Sequence, residues 1–225
     1  MILPPPIWTK GPHQPTLLPG EIHLWRASLT DPAARERCLA VLSAEERLRA
    51  ERFAFDRDRD QFVVSHGALR MVLSRYACVD PRALEFASGG NGKPRLMQRF
   101  TDLRFNLSHT DGLALIAVAR GREVGVDVER VDREMVFEDI AEHYFEPREV
   151  WDLRIAPDGE RAARFFDVWT RKEAQLKAGG QGLAGLSELP ENTFAVRNLT
   201  PADGYAGAVA SEGDDWRLAC WEWSL

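Results

Sequence analysis

The chain has 225 residues, 44% of them hydrophobic and 28% charged. That is the balance of a soluble globular protein with enough length to bury a core, as one large domain or two small ones. A formal net charge of -6 argues against a general nucleic-acid binder, which needs a broad basic surface. No apolar run is long enough for a membrane-spanning helix. The cysteines, Cys38, Cys78 and Cys220, have neither disulfide nor metal spacing, so they read as thiols of a reducing compartment, with a cytoplasmic monomer as the expectation.

The opening stretch, MILPPPIWTKGPHQPTLLPG, is broken by prolines and lacks a basic n-region. It reads as an extended tail draped over the body, not as a signal peptide. Residues 21–28 read as the first strand. A helix follows, capped by Thr30 or Asp31 with Pro32 in its first turn. SAEE is a capping box from Ser43 to Glu46 and opens a short helix carrying Arg47, Arg49 and Arg52. A longer helix over 57–77 places Phe62, Leu69, Val72, Leu73 and Tyr76 on one stripe. His66 lies on the same stripe and reads as a core histidine with a satisfied partner.

LEFASGGNGKPRL runs from a short strand into a glycine-rich loop and out again. LRFNLSH, the turn TDG and LALIAVA form a hairpin. VGVDVER is the next strand. Then the plan repeats: a helix over 134–145, a short helix after Pro147, a long helix over 160–178, a glycine-rich loop and strands. LSAEERLRAERF and FEPREVWDLRIA hold matching places. The pattern is an internal duplication, giving an α+β protein with a tail (1–20) and two similar halves (21–121 and 122–225) in a pseudo-two-fold arrangement.

VGVDVER poses a physical problem. Strand residues alternate faces, so Asp127 and Glu129 point the same way in a segment that otherwise looks buried. In the long second helix Glu173 falls toward the buried side, with Lys177 one turn later and Lys172 inside the apolar stripe. Inward charges are costly unless paired or bound to a metal. If Glu173 faces Asp127 and Glu129, three carboxylates suit a hard divalent cation, most simply Mg²⁺, whose remaining positions take waters and substrate phosphates. GGNGKP offers backbone N–H groups and Lys93 but is not a Walker loop, since Pro94 stands where Ser or Thr belongs. Ser108 and His109 are further phosphate donors. As strand neighbours they point to opposite faces, which weakens any nucleophile–base reading.

The motifs GKP, FNLSH, VGVDVE and VWTRKEAQLKAGGQGL, in this order, with RFAFDRDRDQFVVSHGALR before them, resemble the Sfp-type 4′-phosphopantetheinyl transferases over roughly residues 21–200. The resemblance implies two α+β halves with coenzyme A between them. It implies transfer of 4′-phosphopantetheine to a serine of an apo acyl or peptidyl carrier protein, releasing adenosine 3′,5′-bisphosphate. It puts metal acids at Asp127, Glu129 and Glu173. Coenzyme A contacts fall at Arg57, Lys93, Ser108, His109, Lys172 and Lys177. Glu173, Lys177 and His109 are then the catalytic set, with Glu173 as base for the serine, directly or through a water. Two expected basic positions read Gln61 and Glu46, with Arg59 as a substitute for the first. Arg47 and Arg49 are expected to help dock the carrier. The alternatives from the residues themselves are a metal-dependent phosphodiesterase or nuclease and a non-catalytic coenzyme A-binding module.

Overall fold

The computed structural model describes residues 6–89, 92–97, 102–180 and 194–225. The first five residues, Gly90 and Asn91 of the first glycine-rich loop, and the stretch after Gly180 in the second lie outside the described residues.

The elements follow the expected alternation. They are β1 (Thr9–Lys10), β2 (Glu21–Ser28), α1 (Pro32–Val41), α2 (Ala44–Ala50), α3 (Asp56–Ala77), β3 (Phe86–Ser88), β4 (Pro94–Leu96), β5 (Leu103–Thr110), β6 (Leu113–Arg120) and β7 (Val124–Arg130). Then come α4 (Glu138–Tyr144), α5 (Pro147–Arg154), α6 (Asp158–Gly179), β8 (Phe194–Leu199), β9 (Tyr205–Glu212) and β10 (Arg217–Glu222). The helix expected over 134–145 starts four residues late. Asp132 accepts the Glu134 N–H at 2.9 Å, an Asx turn that competes with helix for that backbone.

Three sheets form. One has the order β1-β10-β2-β6-β5, one is the β3-β4 hairpin, and one has the order β7-β9-β8. The β5–β6 hairpin turns at Gly112, whose φ of 82° suits glycine. The last strand, β10, leaves the second half and lies parallel beside β2 of the first. The tail follows it: β1 pairs with Trp221 and Glu222 of β10, and Arg75 of α3 donates to the Pro12 carbonyl at 3.2 Å. The draped tail is therefore a strap on the sheet edge.

The buried residues define layers. On β2 and β6, Trp25, Ala27, Ala114, Ile116 and Val118 pack with Phe62, Leu69 and Leu73 of α3. The alternate residues, Ile22, Leu24, Leu115 and Ala117, pack with Val124, Val126 and Val128 of β7 and Val209 of β9. Beyond that second sheet, Ala208 and Ala210 of β9 pack with Ala174 and Ala178 of α6. The order is helix, sheet, sheet, helix, with the two sheets sharing the central core. This is the two-halves α+β architecture.

The two halves also share local detail. Ser43 and Glu46 form the reciprocal capping box at the start of α2, and Glu146 and Glu149 form one at the start of α5. In each half the second residue of that box, a glutamate, then grips a cation on the following 22-residue helix. Glu46 accepts from Arg70 of α3 at 2.6 Å. Glu149 accepts from Arg171 of α6 at 2.7 Å and lies 3.0 Å from Lys172.

Candidate active site

Val124, Val126 and Val128 face the central core, so Gly125, Asp127 and Glu129 face α6. Gly125 is what lets the helix approach. A Cβ there would lie 2.0 Å from the Ala174 carbonyl oxygen and 2.4 Å from the Ala178 nitrogen. With strand and helix in backbone contact, the Lys177 ammonium reaches Asp127 Oδ1 at 2.5 Å.

The third wall is β5, the edge strand of the larger sheet. Ser108 Oγ donates to Asp127 Oδ1 at 2.9 Å and lies 3.0 Å from Lys177 Nζ. Asn106, two residues earlier and on the same face, accepts the Val126 N–H at 2.9 Å. No backbone ladder joins β5 to β7. These side chains connect the two sheets there.

The acids sense one another. Burial, then the charge of Asp127, pushes the Glu129 carboxyl up to about 7, with a weaker push from Glu173 against the Thr110 hydrogen bond and Lys177. Burial and Asp127 likewise raise Glu173, and Lys177 opposes them. Asp127 is 2% exposed, and its Oδ2 is buried without a hydrogen-bond partner. An orphaned buried carboxylate oxygen beside two acids that resist ionising is a donor set that fits a hard divalent cation. The side chains are not closed into a cage. Among the described residues no three Asp, Glu, His or Cys groups are gathered tightly enough to hold an ion.

A cleft of about 940 Å³ opens beside this cluster, lined by Arg49, His66, Phe105, Ser108, His109 and Lys177, with Gly92 and Pro94 on its rim. Because β5 is an edge strand, the cleft reaches both its faces, which is how the neighbours Ser108 and His109 serve one space. Burial, then Lys177 and Arg49, lowers the His109 pKa, so this imidazole is a neutral hydrogen-bond donor near pH 7.

Not every expected contact lies here. Lys172 belongs to Glu149 and sits over the Phe145 ring at 5.9 Å. Arg57 is exposed and pairs with Asp58. Arg59 pairs with Asp56 and Asp60, and Gln61 donates to Asp111. The Lys93 ammonium is buried against Glu123 and two backbone carbonyls. Arg49 lies over the Phe62 ring and lines the cleft, whereas Arg47 donates to the Leu42 carbonyl at the end of α1. Exposed Leu48, Phe53 and Phe55 surround that arginine segment.

His66, expected in the core, is half-buried with its ring nitrogen satisfied and lines the cleft. Its Nδ1 lies 3.1 Å from the Phe62 carbonyl, its ring stacks on Phe62, and His109 sits edge-on at 6.5 Å. Burial pushes it down to about 4 from the ordinary 6.5. The unfolded chain therefore takes up a proton over that window and the folded chain does not, so His66 costs stability as pH falls. Chemical denaturation of wild type and His66→Gln from pH 7 to 4 is expected to show the difference moving against wild type by up to about 3 kcal/mol.

Comparison with known proteins agrees with the geometry. A sequence profile described as the 4′-phosphopantetheinyl transferase superfamily matches residues 123–221, and one described as 4′-phosphopantetheinyl transferase, N-terminal, matches residues 24–120. The chain is 38% identical over 232 residues to 4′-phosphopantetheinyl transferase HetI of Nostoc sp., covering 96% of this chain and 98% of that protein. The chain belongs to the 4′-phosphopantetheinyl transferase family. It is also 32% identical to 4′-phosphopantetheinyl transferase psf-1 of Bacillus pumilus, over 71% of this chain and 68% of that one. To 4′-phosphopantetheinyl transferase Sfp of Bacillus subtilis it is 29% identical, over 72% of this chain and 69% of that one. The two profiles of this transferase family meet at the turn between β6 and β7. Among the described residues no helix is long and apolar enough to cross a membrane.

Proposed function

We propose that this chain moves the 4′-phosphopantetheine arm of coenzyme A onto a serine hydroxyl of an apo acyl or peptidyl carrier protein and releases adenosine 3′,5′-bisphosphate. The observation that carries this reading is the meeting of β5, β7 and α6 at Asp127, where Ser108 and Lys177 share Oδ1 and Oδ2 is orphaned, beside a cleft of ligand size. A nuclease would need to hold a polyanion, and a net charge of -6 does not favour that.

In the transfer the serine oxygen bonds to the pantetheine-side phosphorus while the bond from that phosphorus to the bridging oxygen breaks. The electron pair leaves on the adenosine bisphosphate. Such reactions depend on positioning and on neutralising charge. Mg²⁺, when bound by Asp127, Glu129 and Glu173, supplies charge neutralisation at the diphosphate. Lys177 balances the leaving phosphate, and Ser108 and neutral His109 donate to phosphate oxygens. Glu173 takes the serine proton, directly or through a water.

The test separates chemistry from binding. Glu173→Gln is expected to lower transfer by roughly a hundredfold or more, read by mass spectrometry as the phosphopantetheine increment on the carrier serine. Coenzyme A affinity, read by calorimetry, is expected to stay within about threefold. Full turnover in this variant removes Glu173 from the chemistry. Tight coenzyme A binding by wild type with no transfer to any apo-carrier of a panel makes the chain a binding module.

A further inference from the structure

Lys93 sits between two cleft residues, Gly92 and Pro94, yet does not itself line the cleft. A lysine ammonium has three N–H donors. Here all three are used inside the protein: on Glu123 Oε2 at 3.0 Å, on the Val124 carbonyl at 2.9 Å and on the Ala178 carbonyl at 3.0 Å. The side chain is 8% exposed. Its partners come from three places. Glu123 and Val124 open β7, the strand of Asp127. Ala178 lies in the last turn of α6, one residue after Lys177, where the helix's own carbonyls lack intrahelical partners. Lys93 itself closes the β3–β4 hairpin, since its carbonyl accepts the Gly89 N–H at 2.8 Å. Glu123 completes the junction by accepting also from Arg95 at 2.8 Å and Arg104 at 2.9 Å.

We propose that Lys93 is a positioning residue and not a phosphate ligand: it ties the rim hairpin to the start of β7 and to the end of α6, and so sets the distance from the rim to Lys177 and Asp127. The inference rests on the coenzyme A reading above. With no donor left over, Lys93 meets a phosphate only by breaking the junction.

Three variants decide it: Lys93→Met, Glu123→Gln and the double variant, each assayed with coenzyme A and with 3′-dephospho-coenzyme A. Lys93→Met is expected to raise KM for both substrates by the same factor, about tenfold. Glu123→Gln is expected to reproduce the direction of that change, and the double variant to be no worse than Lys93→Met alone, because both remove one junction. A loss confined to coenzyme A makes Lys93 a ligand of the 3′-phosphate and overturns the proposal. So does a wild-type KM in Glu123→Gln, which is what a lysine freed to hold the diphosphate would give.

Amide exchange adds a readout that needs no substrate. In Lys93→Met and Glu123→Gln the Gly89 N–H is expected to exchange at least about tenfold faster than in wild type. Unchanged exchange in both overturns the junction. Should Lys93→Met not fold, Glu123→Gln carries both measurements. If wild type neither binds nor uses coenzyme A, the transferase reading fails, while exchange still decides the tether.

Discussion

Asp127→Asn is expected to lower kcat/KM for carrier modification by more than about a hundredfold while leaving the protein folded. Asparagine keeps the shape and can still accept from Ser108 through its amide oxygen, so the hydrogen bond at 2.9 Å is retained in kind. What goes is the charge. Lys177 loses the anion 2.5 Å from its ammonium. The carboxylate with the orphaned buried oxygen, one of the three acids proposed to hold the cation, becomes neutral. The measurement pairs turnover with thermal melts in the presence and absence of Mg²⁺. Wild type is expected to gain stability with the cation because a ligand that binds only the folded state stabilises it by mass action, and Asp127→Asn is expected to lose that gain. Turnover within tenfold of wild type would falsify the central role given to Asp127.

Gly125→Ala is expected to damage both stability and activity. The new Cβ would stand 2.0 Å from the Ala174 carbonyl oxygen and 2.4 Å from the Ala178 nitrogen. Both are backbone atoms of α6 and neither can rotate aside. The helix must lift off β7, which costs about 3 kcal/mol by the usual scale of overpacking and about 6–12 °C in Tm for a chain of this size. The same lift carries Glu173 and Lys177 away from Asp127. Transfer is therefore expected to fall at least about a hundredfold at temperatures where the variant is still folded. Circular dichroism melts and the carrier assay check the two parts separately. An unchanged Tm would mean that strand and helix are not in backbone contact.

Much of this site was legible in the chain. Alternation along VGVDVER put Asp127 and Glu129 on one face, and the helical wheel turned Glu173 toward the buried side, because strand and helix periodicities are local geometry. The capping boxes at Ser43 and Glu146 followed from local chemistry in the same way, although only the first was read. Gly125 carried a signal that was not used: a glycine in the middle of a buried strand marks a close backbone approach. Asn106 lies within FNLSH, where the motif alone assigns it no role. Its position, two residues before Ser108 and so on the same face, is the pattern by which it can be found.

The basic residues were harder to assign, and Lys172 shows why. Beside Lys177 in sequence, it reads as a second phosphate contact, yet it answers to Glu149 on another helix. Arg57 and Arg59 turned to carboxylates of their own helix. A long flexible cation takes whichever anion the fold brings near, and that anion is not adjacent in sequence.

By itself the sequence determined the order of elements and which acids turn toward the buried side, since each depends on periodicity, capping or motif spacing within a few residues. Only the tertiary structure decided that β10 crosses into the first sheet, that Ser108 and Lys177 meet on one oxygen of Asp127, and that Lys93 faces inward. These depend on partners far apart along the chain, 85 residues between Lys93 and Ala178. Which donor finds which acceptor over such separations is set by how the packed layers bring them together.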